Sequence, residues 1–489
     1  MVDQAPSVRT KLLIGSDYRE AETGRTFDRL NPLSGAVATT SSAANAADAN
    51  AAVEAAQTAF GAWSATGPNA RRALLQSAAE GLSRRADDFV AAMRSEVGAT
   101  EGWARFNIAL AAGILREAGA LTTQIAGEVI PSDKPGCLAL AVRQPAGVVV
   151  GIAPWNAPVI LGVRAIATPL ACGNTVVLKA SEICPRTHGL IGEVLREAGF
   201  PAGVVNVLTN DPADAADVVG ALIDHPAVRR INFTGSTTVG RIIAERAARH
   251  LKPVLLELGG KAPLLVLKDA DLDEAVKAAA FGAFMNQGQI CMSTERIIVD
   301  DSIADAFVAK FALKAKTLTA GDPAVGASPL GALVSSQAAV CVARLIDDAT
   351  AKGAVLVAGS PTEQPLMNAT VLDHVTPEMR IYREESFGPV VCVIRARDDD
   401  DAVRLANDSE YGLSAAIFSK DVARAINLAG RVRSGICHIN GPTVQDEAQM
   451  PFGGVGASGY GRFGGHAGIA EFTDLRWITI ETQPGHYPI

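Results

Sequence analysis

Apolar residues recur at helical spacing through the first third of the chain. Residues 47–64 are rich in alanine and carry few charges, residues 68–98 have apolar side chains three and four positions apart, and residues 101–121 repeat that pattern. Pro68 and Gly98 stand where a helix typically begins and ends. We therefore predict that this part of the chain is helical.

The pattern changes at residue 126. Residues 126–145 form two extended stretches around a Pro-Gly pair, which predicts a hairpin. From residue 146, apolar runs of strand length alternate with helical segments, and a second alternation runs from residue 253 to GICHIN at 435–440. The two halves meet near residue 257. Strands that alternate with helices in this way predict parallel sheets with helices on both faces.

These patterns predict an α/β protein with two α/β halves. The last segment, EFTDLRWITIETQPGHYPI, is strand-like. We expect it to pair with residues 126–145 and complete a small third sheet. A protruding sheet of this kind more often serves subunit contact than catalysis.

Composition and charge exclude several classes of function. The chain has 489 residues and a net charge of −8, which argues against binding to nucleic acid or to an anionic membrane. No signal peptide and no apolar run long enough to span a bilayer are evident. The seven cysteines are odd in number and include no C-x-x-C pair, as expected for a cytoplasmic protein with free thiols.

Two stretches are candidates for nucleotide binding. Residues 454–465, GVGASGYGRFGG, contain overlapping G-x-G-x-x-G patterns, but a polar loop precedes them and no βαβ unit follows. We interpret them as a glycine-rich turn that requires positive φ. Residues 229–240 are the better candidate, because a strand runs directly into Gly235 and Ser236 at a helix N-terminus, where a pyrophosphate is stabilised. An ordinary strand-to-helix turn is the alternative.

Lys179 and Glu182 stand at the carboxyl end of another predicted strand. Ligands of open α/β sheets bind beyond the carboxyl ends of strands, so these side chains would face the same crevice as Ser236 and could hold the ribose hydroxyls of an adenosine. The alternative is a solvated ion pair at the edge of the sheet.

Three residues are candidates for chemistry on a carbonyl group. Cys291 lies in a polar, glycine-flanked loop, where an accessible sulfur with a lowered pKa would be a nucleophile. Glu257 ends an apolar strand, and partial burial would raise its pKa toward the range of a general base. Asn156 lies between two prolines and offers a neutral donor to an oxyanion. Taken singly, each has an alternative as an inert thiol, a strand-end carboxylate or a turn residue.

The motifs PWNAP, LKASE, FTGSTTVG, LELGG, GQIC, EESFGPV and PFGGVGASGYGRFGG occur together, in order, over nearly the whole chain. In this the sequence resembles the NAD(P)-dependent aldehyde dehydrogenase superfamily. The resemblance implies a Rossmann-like cofactor-binding domain at 1–125 and 146–257, and an α/β catalytic domain at 258–468. It also implies a small β oligomerisation arm at 126–145 and 469–489.

The resemblance also implies roles for individual residues. Cys291 would attack the aldehyde, Asn156 and the Cys291 backbone N–H would hold the oxyanion, and Glu257 would activate the water that hydrolyses a thioester. The residues implied in cofactor binding are Trp155, Lys179, Glu182, Gly235, Ser236, Glu385 and Phe387. Glu182 would favour NAD, since a carboxylate repels a 2′-phosphate, while Lys179 beside it keeps NADP possible.

Within the superfamily, the chain is most similar to bacterial dehydrogenases of the salicylaldehyde, benzaldehyde and vanillin type. That similarity implies that Trp103 and Arg164 line the substrate tunnel; helix packing and a surface ion pair are the alternatives for them. Ala157 stands where the family often has a bulky aromatic residue. The smaller side chain would widen the floor of the pocket and so favour a flat, ring-shaped substrate. A small aromatic aldehyde is therefore the expected substrate. A homodimer or homotetramer is expected to form through residues 126–145 and the C-terminal tail.

Three other functions remain open at this point. The chain could oxidise aliphatic aldehydes or semialdehydes, with Arg164 as a carboxylate clamp. A coenzyme A-acylating enzyme is disfavoured because Glu257 supplies a hydrolytic base. A non-catalytic relative is disfavoured because Cys291, Glu257 and Asn156 are all present.

Overall fold

The computed structural model describes residues 8–484 and 487–489, so residues 1–7 of the predicted cofactor-binding domain and 485–486 of the predicted arm lie outside it. The described chain forms two large sheets, of eight and seven strands, and two sheets of three strands. The predicted α/β class is confirmed. The division into three domains stays a prediction.

The N-terminal segment is the largest departure from the sequence-based prediction, because it is extended rather than helical. Its strands are β1 Val8–Thr10, β2 Leu12–Ile14, β3 Asp17–Arg19, β4 Thr26–Leu30 and β5 Val37–Ser42. Four of the five are three to five residues long, and β3 is fully exposed, so they carry no clear alternation of apolar and polar side chains. Their partners lie far away in sequence: β2 pairs with a strand near residue 207.

Four helices follow, as the apolar spacing predicts. They are α1 Ala46–Ser64, α2 Pro68–Arg84, α3 Ala86–Val97 and α4 Glu101–Leu121. The single helix predicted over 68–98 is wrong in one respect, since the chain leaves helical geometry at Arg85 and starts again. Gly98 ends α3 with a φ of 67°, the left-handed conformation that glycine favours at a helix end.

The predicted pairing of the arm with the tail is confirmed. Strands β6 Glu128–Ile130 and β7 Cys137–Pro145 form the hairpin, and the C-terminal strand Thr473–Glu481 pairs antiparallel with β7 along its whole length. The resulting three-stranded sheet is separate from the two large sheets.

The predicted strand–helix alternation from residue 146 is also confirmed. Its elements are β8 Val148–Ile152, α5 Pro158–Ala171, β9 Thr175–Lys179, α6 Pro185–Glu197, β10 Val205–Leu208, α7 Ala215–Asp224, β11 Val228–Thr234, α8 Thr237–Ala248 and β12 Val254–Glu257. These strands are parallel, in the order β12-β11-β8-β9-β10, with β2 and β3 added at one edge. The chain runs outward from β8 through β9 to β10 and then crosses to β11 on the other side of β8, so the strand order reverses at β8 and a crevice opens at the carboxyl ends there.

The second half builds the seven-stranded sheet. Its elements are β13 Ala262–Val266, α9 Leu272–Phe284, β14 Thr294–Asp300, α10 Asp301–Lys316, α11 Ser336–Ala351, β15 Val355–Ala358, β16 Thr370–Asp373, α12 Arg380–Arg383, β17 Val390–Ala396, α13 Asp399–Asn407, β18 Ser414–Phe418, α14 Val422–Ala429, β19 Ile436–Ile439, β20 Gly459–Tyr460, α15 Gly465–Glu471 and β21 Thr473–Glu481. The strand order of the seven-stranded sheet is β15-β16-β17-β14-β13-β18-β19. Of the remaining strands, β20 joins the eight-stranded sheet and β21 the three-stranded sheet of the hairpin. The chain passes from one large sheet to the other between β12 and β13, near the predicted residue 257.

The glycine-rich run near the C-terminus is a turn, as predicted. Gly456, Gly459, Gly461 and Gly464 all have positive φ. The short strand β20 inside it pairs antiparallel with β12, and a Cβ on Gly459 would lie 2.1 Å from the Leu256 carbonyl oxygen. The run therefore supports the strand that ends at Glu257.

Candidate active site

Asn156 lies in the loop that joins β8 to α5, at the crevice described above. Its side-chain Nδ2 donates a hydrogen bond to the Gln289 carbonyl at 3.0 Å. Its own carbonyl accepts hydrogen bonds from Trp103 Nε1 and from Asn286 Nδ2, each at 3.0 Å. Three bonds to distant parts of the chain therefore fix Asn156 in position beside the loop that carries Cys291.

The loop that carries Cys291 has an unusual backbone. Between α9 and β14, Asn286 and Gln287 both have positive φ, 48° and 57°, which side chains other than glycine rarely adopt. Buried hydrogen bonds hold this geometry, since Gln287 donates to the Ala332 carbonyl at 3.0 Å and accepts from the Gly331 N–H at 2.9 Å. A strained loop held by its surroundings is a common feature of active sites.

Glu257 and Cys291 meet where the two large sheets join. Glu257 is the last residue of β12, and the chain then turns through Gly259 and Gly260 into β13. A Cβ on Gly260 would lie 2.3 Å from the Cys291 carbonyl oxygen, so only glycine permits this close approach. Ser458 of the glycine-rich turn braces the same bend by donating to the Gly259 carbonyl at 2.7 Å.

The Glu257 carboxyl group is buried, and neither of its oxygens has a hydrogen-bond partner among the described residues. Burial raises its pKa to about 8, although the nearby Cys291 thiol and Arg164 guanidinium act in the opposite direction. The expected upward shift is confirmed. A carboxyl group with this pKa can take up a proton near neutral pH, as a general base must.

Cys291 is half-buried at the wall of a cavity, but its pKa departs from expectation. Burial, together with the carboxylates of Glu257 and Glu385, raises the pKa of the thiol well above its usual range, and Arg164 only partly opposes this. The expectation of a lowered pKa is therefore wrong, because burial disfavours the thiolate and two acidic side chains lie near the sulfur.

The cavity joins two of the predicted catalytic residues to the predicted tunnel residues. Asn156, Cys291, Trp103 and Arg164 all line it, and the Glu257 carboxyl group, which is not part of the lining, lies near the Cys291 thiol. Its other lining residues are largely apolar: Phe106, Leu110, Ala157, Ile160, Leu161, Phe281, Met285, Ile290, Met292, Val444, Gln445, Asp446 and Phe452. Trp103 is nearly fully buried and stacks on Phe106, so its ring forms part of the wall.

Arg164 does not form the surface ion pair that was the alternative for it. It is buried, it pairs with the Asp446 carboxylate, and its guanidinium lies 4.3 Å from the centre of the Phe452 ring. Its charge is therefore already neutralised inside the cavity wall.

Gly235 and Ser236 lie at the start of α8, as predicted. Ser236 is the N-cap, and its hydroxyl accepts from the Val239 N–H at 3.4 Å. The Gly235 N–H donates to the Glu257 carbonyl at 3.0 Å, so this turn lies next to the strand end that carries the candidate base.

Lys179 is the last residue of β9 and donates to Glu182 at 2.9 Å. Burial opposes ionisation of Glu182, but Lys179 holds its pKa below the usual range, so it is a carboxylate at neutral pH. Because β9 lies inside the sheet, the pair is at the carboxyl end of a central strand rather than at the sheet edge.

The predicted residues of the EESFGPV motif face the same junction. Glu385 accepts from the Gly260 N–H at 2.9 Å, and burial raises its pKa to about 7. Phe387 has a φ of 46° and meets the Trp155 ring edge-on, with 5.6 Å between ring centres.

Two residues that support this turn were missed from the sequence. Lys261 and Glu295 form a buried ion pair at 2.6 Å, and Glu295 also accepts from the N–H and hydroxyl groups of Ser386. The sequence shows a lysine just before the apolar strand β13 and a glutamate inside the apolar strand β14, and neither reveals its partner.

Known proteins match this chain over nearly its full length. The profile described as the aldehyde dehydrogenase family matches residues 18–478. A vanillin dehydrogenase of Pseudomonas fluorescens is 63% identical over 478 residues, covering 98% of this chain and 99% of that protein. A benzaldehyde dehydrogenase (NAD+) of Pseudomonas putida is 39% identical, covering 97% of each chain.

A solved structure agrees with the fold. The crystal structure of a salicylaldehyde dehydrogenase from Pseudomonas putida G7, complexed with salicylaldehyde, superposes with a TM-score of 0.97 and is 49% identical, covering 99% of this chain and 100% of that one. At this similarity the two chains share one architecture, including the Rossmann-like parallel sheet.

Proposed function

Since this chain belongs to the aldehyde dehydrogenase family, we propose that it oxidises aromatic aldehydes to carboxylic acids with NAD as the hydride acceptor. The observation that carries the proposal is the cavity lined by Cys291 and Asn156 and backed by Glu257. Relatives named for vanillin, benzaldehyde and salicylaldehyde support an aromatic substrate.

In the first step the Cys291 thiol gives up its proton to solvent, and the sulfur attacks the aldehyde carbon to form the C–S bond of a thiohemiacetal. The negative charge that develops on the carbonyl oxygen needs donors fixed in advance. Asn156 Nδ2 uses one hydrogen toward Gln289 and has a second available. The Cys291 N–H donates to no backbone or side-chain acceptor among the described residues, and it supplies the other donor.

The second step is hydrolysis of the thioester that remains on Cys291 after hydride transfer. In its carboxylate form, Glu257 takes a proton from a water molecule as the water oxygen attacks the thioester carbon. The carbon–sulfur bond then breaks, the acid leaves, and the Cys291 sulfur takes the proton back from Glu257 to restore the thiol. The missing hydrogen-bond partners of its two oxygens leave them available for that water.

The residues present fit an NAD molecule. The free N–H groups at the start of α8 suit a pyrophosphate, and Lys179 with Glu182 suits the adenosine ribose, with Trp155, Glu385 and Phe387 toward the nicotinamide. NAD, when bound, accepts the hydride of the thiohemiacetal. We propose that residues 1–125 and 146–257 form the cofactor-binding domain and residues 258–468 the catalytic domain.

The cavity wall explains a preference for rings. Trp103, Phe106, Phe281 and Phe452 supply flat apolar surfaces, and Ala157 leaves room where a larger side chain would fill the floor. A semialdehyde would need a free cation for its carboxylate, but Arg164 is paired with Asp446. This disfavours Arg164 as a carboxylate clamp.

A substrate panel with both cofactors checks the proposal. We expect kcat/KM for benzaldehyde, salicylaldehyde and vanillin to exceed that for hexanal by about tenfold or more, because hexanal lacks the ring contacts. NAD should be preferred over NADP, since the Glu182 carboxylate repels a 2′-phosphate, and Glu182→Gln should narrow that preference. Absorbance of the reduced cofactor measures every rate in the panel. A clear preference for hexanal would contradict the aromatic substrate, and a clear preference for NADP would contradict the proposed cofactor.

We propose that the arm formed by residues 126–145 and 469–489 joins subunits into a homodimer or homotetramer. One face of the arm's sheet exposes Ile130, Leu475 and Trp477, of which Trp477 is 76% exposed. Apolar side chains grouped in this way are typical of an interface.

A charged residue at the centre of that surface tests this proposal. Trp477→Glu is expected to lower the mass of the assembly in sedimentation, because a buried charge without a partner is costly at an interface. Leu251→Glu is the matched control, since Leu251 is an exposed apolar residue on another part of the fold. An unchanged mass for Trp477→Glu contradicts the role of the arm.

We also propose a cytoplasmic location. All seven cysteines are free thiols, which suits a reducing compartment. Among the described residues, no helix has the length and apolar character needed to cross a membrane.

A further inference from the structure

Asp446, an acidic side chain of the cavity wall, has a hydrogen-bond partner among the described residues at only one of its two carboxylate oxygens. Asp446 lies in the loop after β19, with 9% of its side chain exposed. Its Oδ2 accepts a hydrogen bond from Arg164, whereas its Oδ1 is buried and has no hydrogen-bond partner among the described residues. A buried acceptor without a donor is unfavourable, and a ligand that supplies the donor removes that cost.

The loop that carries Asp446 is tied to the loop that carries Cys291. The Thr443 hydroxyl donates to the Met292 carbonyl at 2.7 Å and lies 2.8 Å from the Thr294 hydroxyl. These buried hydrogen bonds join the two loops at Thr443, three residues before Asp446, and at Met292, one residue after Cys291. These bonds hold the two loops together, and the ion pair with Arg164 holds the Asp446 side chain in the cavity wall.

We propose that Asp446 determines specificity by accepting a hydrogen bond at Oδ1 from a hydroxyl group on the substrate ring. This inference rests on the proposed function and narrows its substrate class to hydroxylated aromatic aldehydes. The apolar walls hold the ring, and Asp446 is the acidic group among the lining residues that can pair with a ring donor.

Charge at this site favours a neutral donor over an anion. Arg164 was the candidate for contacting a ring hydroxyl or carboxylate, but its guanidinium is paired with Asp446 and covered by the Phe452 ring. A ring carboxylate would meet the Asp446 carboxylate as a like charge. A ring methoxy group, which cannot donate, would leave Oδ1 unsatisfied.

Matched hydroxy- and methoxybenzaldehydes test the inference. With the wild-type protein at neutral pH, the hydroxy isomer is expected to exceed the methoxy isomer in kcat/KM by about tenfold at the ring position that reaches Asp446, because a hydrogen bond to a charged acceptor is lost. Asp446→Asn should lower that ratio severalfold while benzaldehyde remains a substrate. It should also raise kcat/KM for a carboxybenzaldehyde, since Arg164 loses its counter-charge.

Glu447→Gln is the control, because it removes the same charge one residue further along, at an exposed side chain outside this cavity lining. Equal turnover of hydroxy and methoxy isomers at every ring position by the wild-type protein would overturn the inference, whether or not the variant folds. So would a ratio that Asp446→Asn leaves unchanged. Failure of the proposed function is a different result, in which the wild-type protein oxidises no aromatic aldehyde at all.

Discussion

Replacing Cys291 with alanine is expected to lower kcat/KM for aromatic aldehydes by about 10⁴-fold or more, because no covalent intermediate can form without the sulfur. The cavity offers no substitute nucleophile, since Cys291 is the cysteine among its lining residues. Alanine fills less space than cysteine, so the fold should tolerate it. NADH formation at aldehyde concentrations well below KM measures the loss directly.

Binding measurements separate loss of chemistry from loss of structure. The Cys291→Ala protein should still bind NAD, which titration by protein fluorescence reports, because the candidate cofactor residues lie elsewhere. Cys437→Ala is the matched control, since Cys437 is also half-buried but lies on β19 outside the cavity lining. Substantial NADH production by Cys291→Ala would contradict the assignment of the nucleophile.

Local patterns in the sequence were sufficient for most of the fold. The central strands of the first sheet are buried on both faces, so β8 and β9 appear in the sequence as uninterrupted apolar runs between helices. The short strands β1 to β5 were missed because what holds them is pairing with distant residues, such as Leu13 with Val207. The helix break at Arg85 was missed for a different reason, because a break leaves the apolar spacing on either side of it intact.

The candidate site divides in the same way. Cys291, Glu257 and Asn156 were found because each follows or precedes an apolar strand and belongs to a motif of the family. Asp446 and the Lys261–Glu295 pair were not found, because their importance comes from partners far away in sequence. The raised pKa of Cys291 has the same origin, since it depends on burial and on two carboxylates, both of which only the folded chain brings to the sulfur.

Glu257 gives the second large effect. Glu257→Gln is expected to lower steady-state kcat by about 10²- to 10⁴-fold, because the amide cannot take a proton from the hydrolytic water. The rate of thioester formation on Cys291 should fall less than the rate of hydrolysis, since loss of the carboxylate also removes one cause of the high pKa of the Cys291 thiol. Rapid mixing should therefore give a burst of about one NADH per active site before slow turnover, as expected when a covalent intermediate accumulates.

The pH dependence separates this role from a structural one. The pKa of Glu257 is raised to about 8, and a base acts in its deprotonated form, so wild-type kcat should rise with pH and level off above that value. Glu257→Gln should lose this rise. Glu471→Gln is the control, because burial also raises the pKa of Glu471, whose carboxylate accepts a hydrogen bond from the Arg462 N–H at 3.1 Å and is not among the groups that act on Cys291. A Glu257→Gln protein with neither a burst nor a changed pH profile would show that another group activates the water.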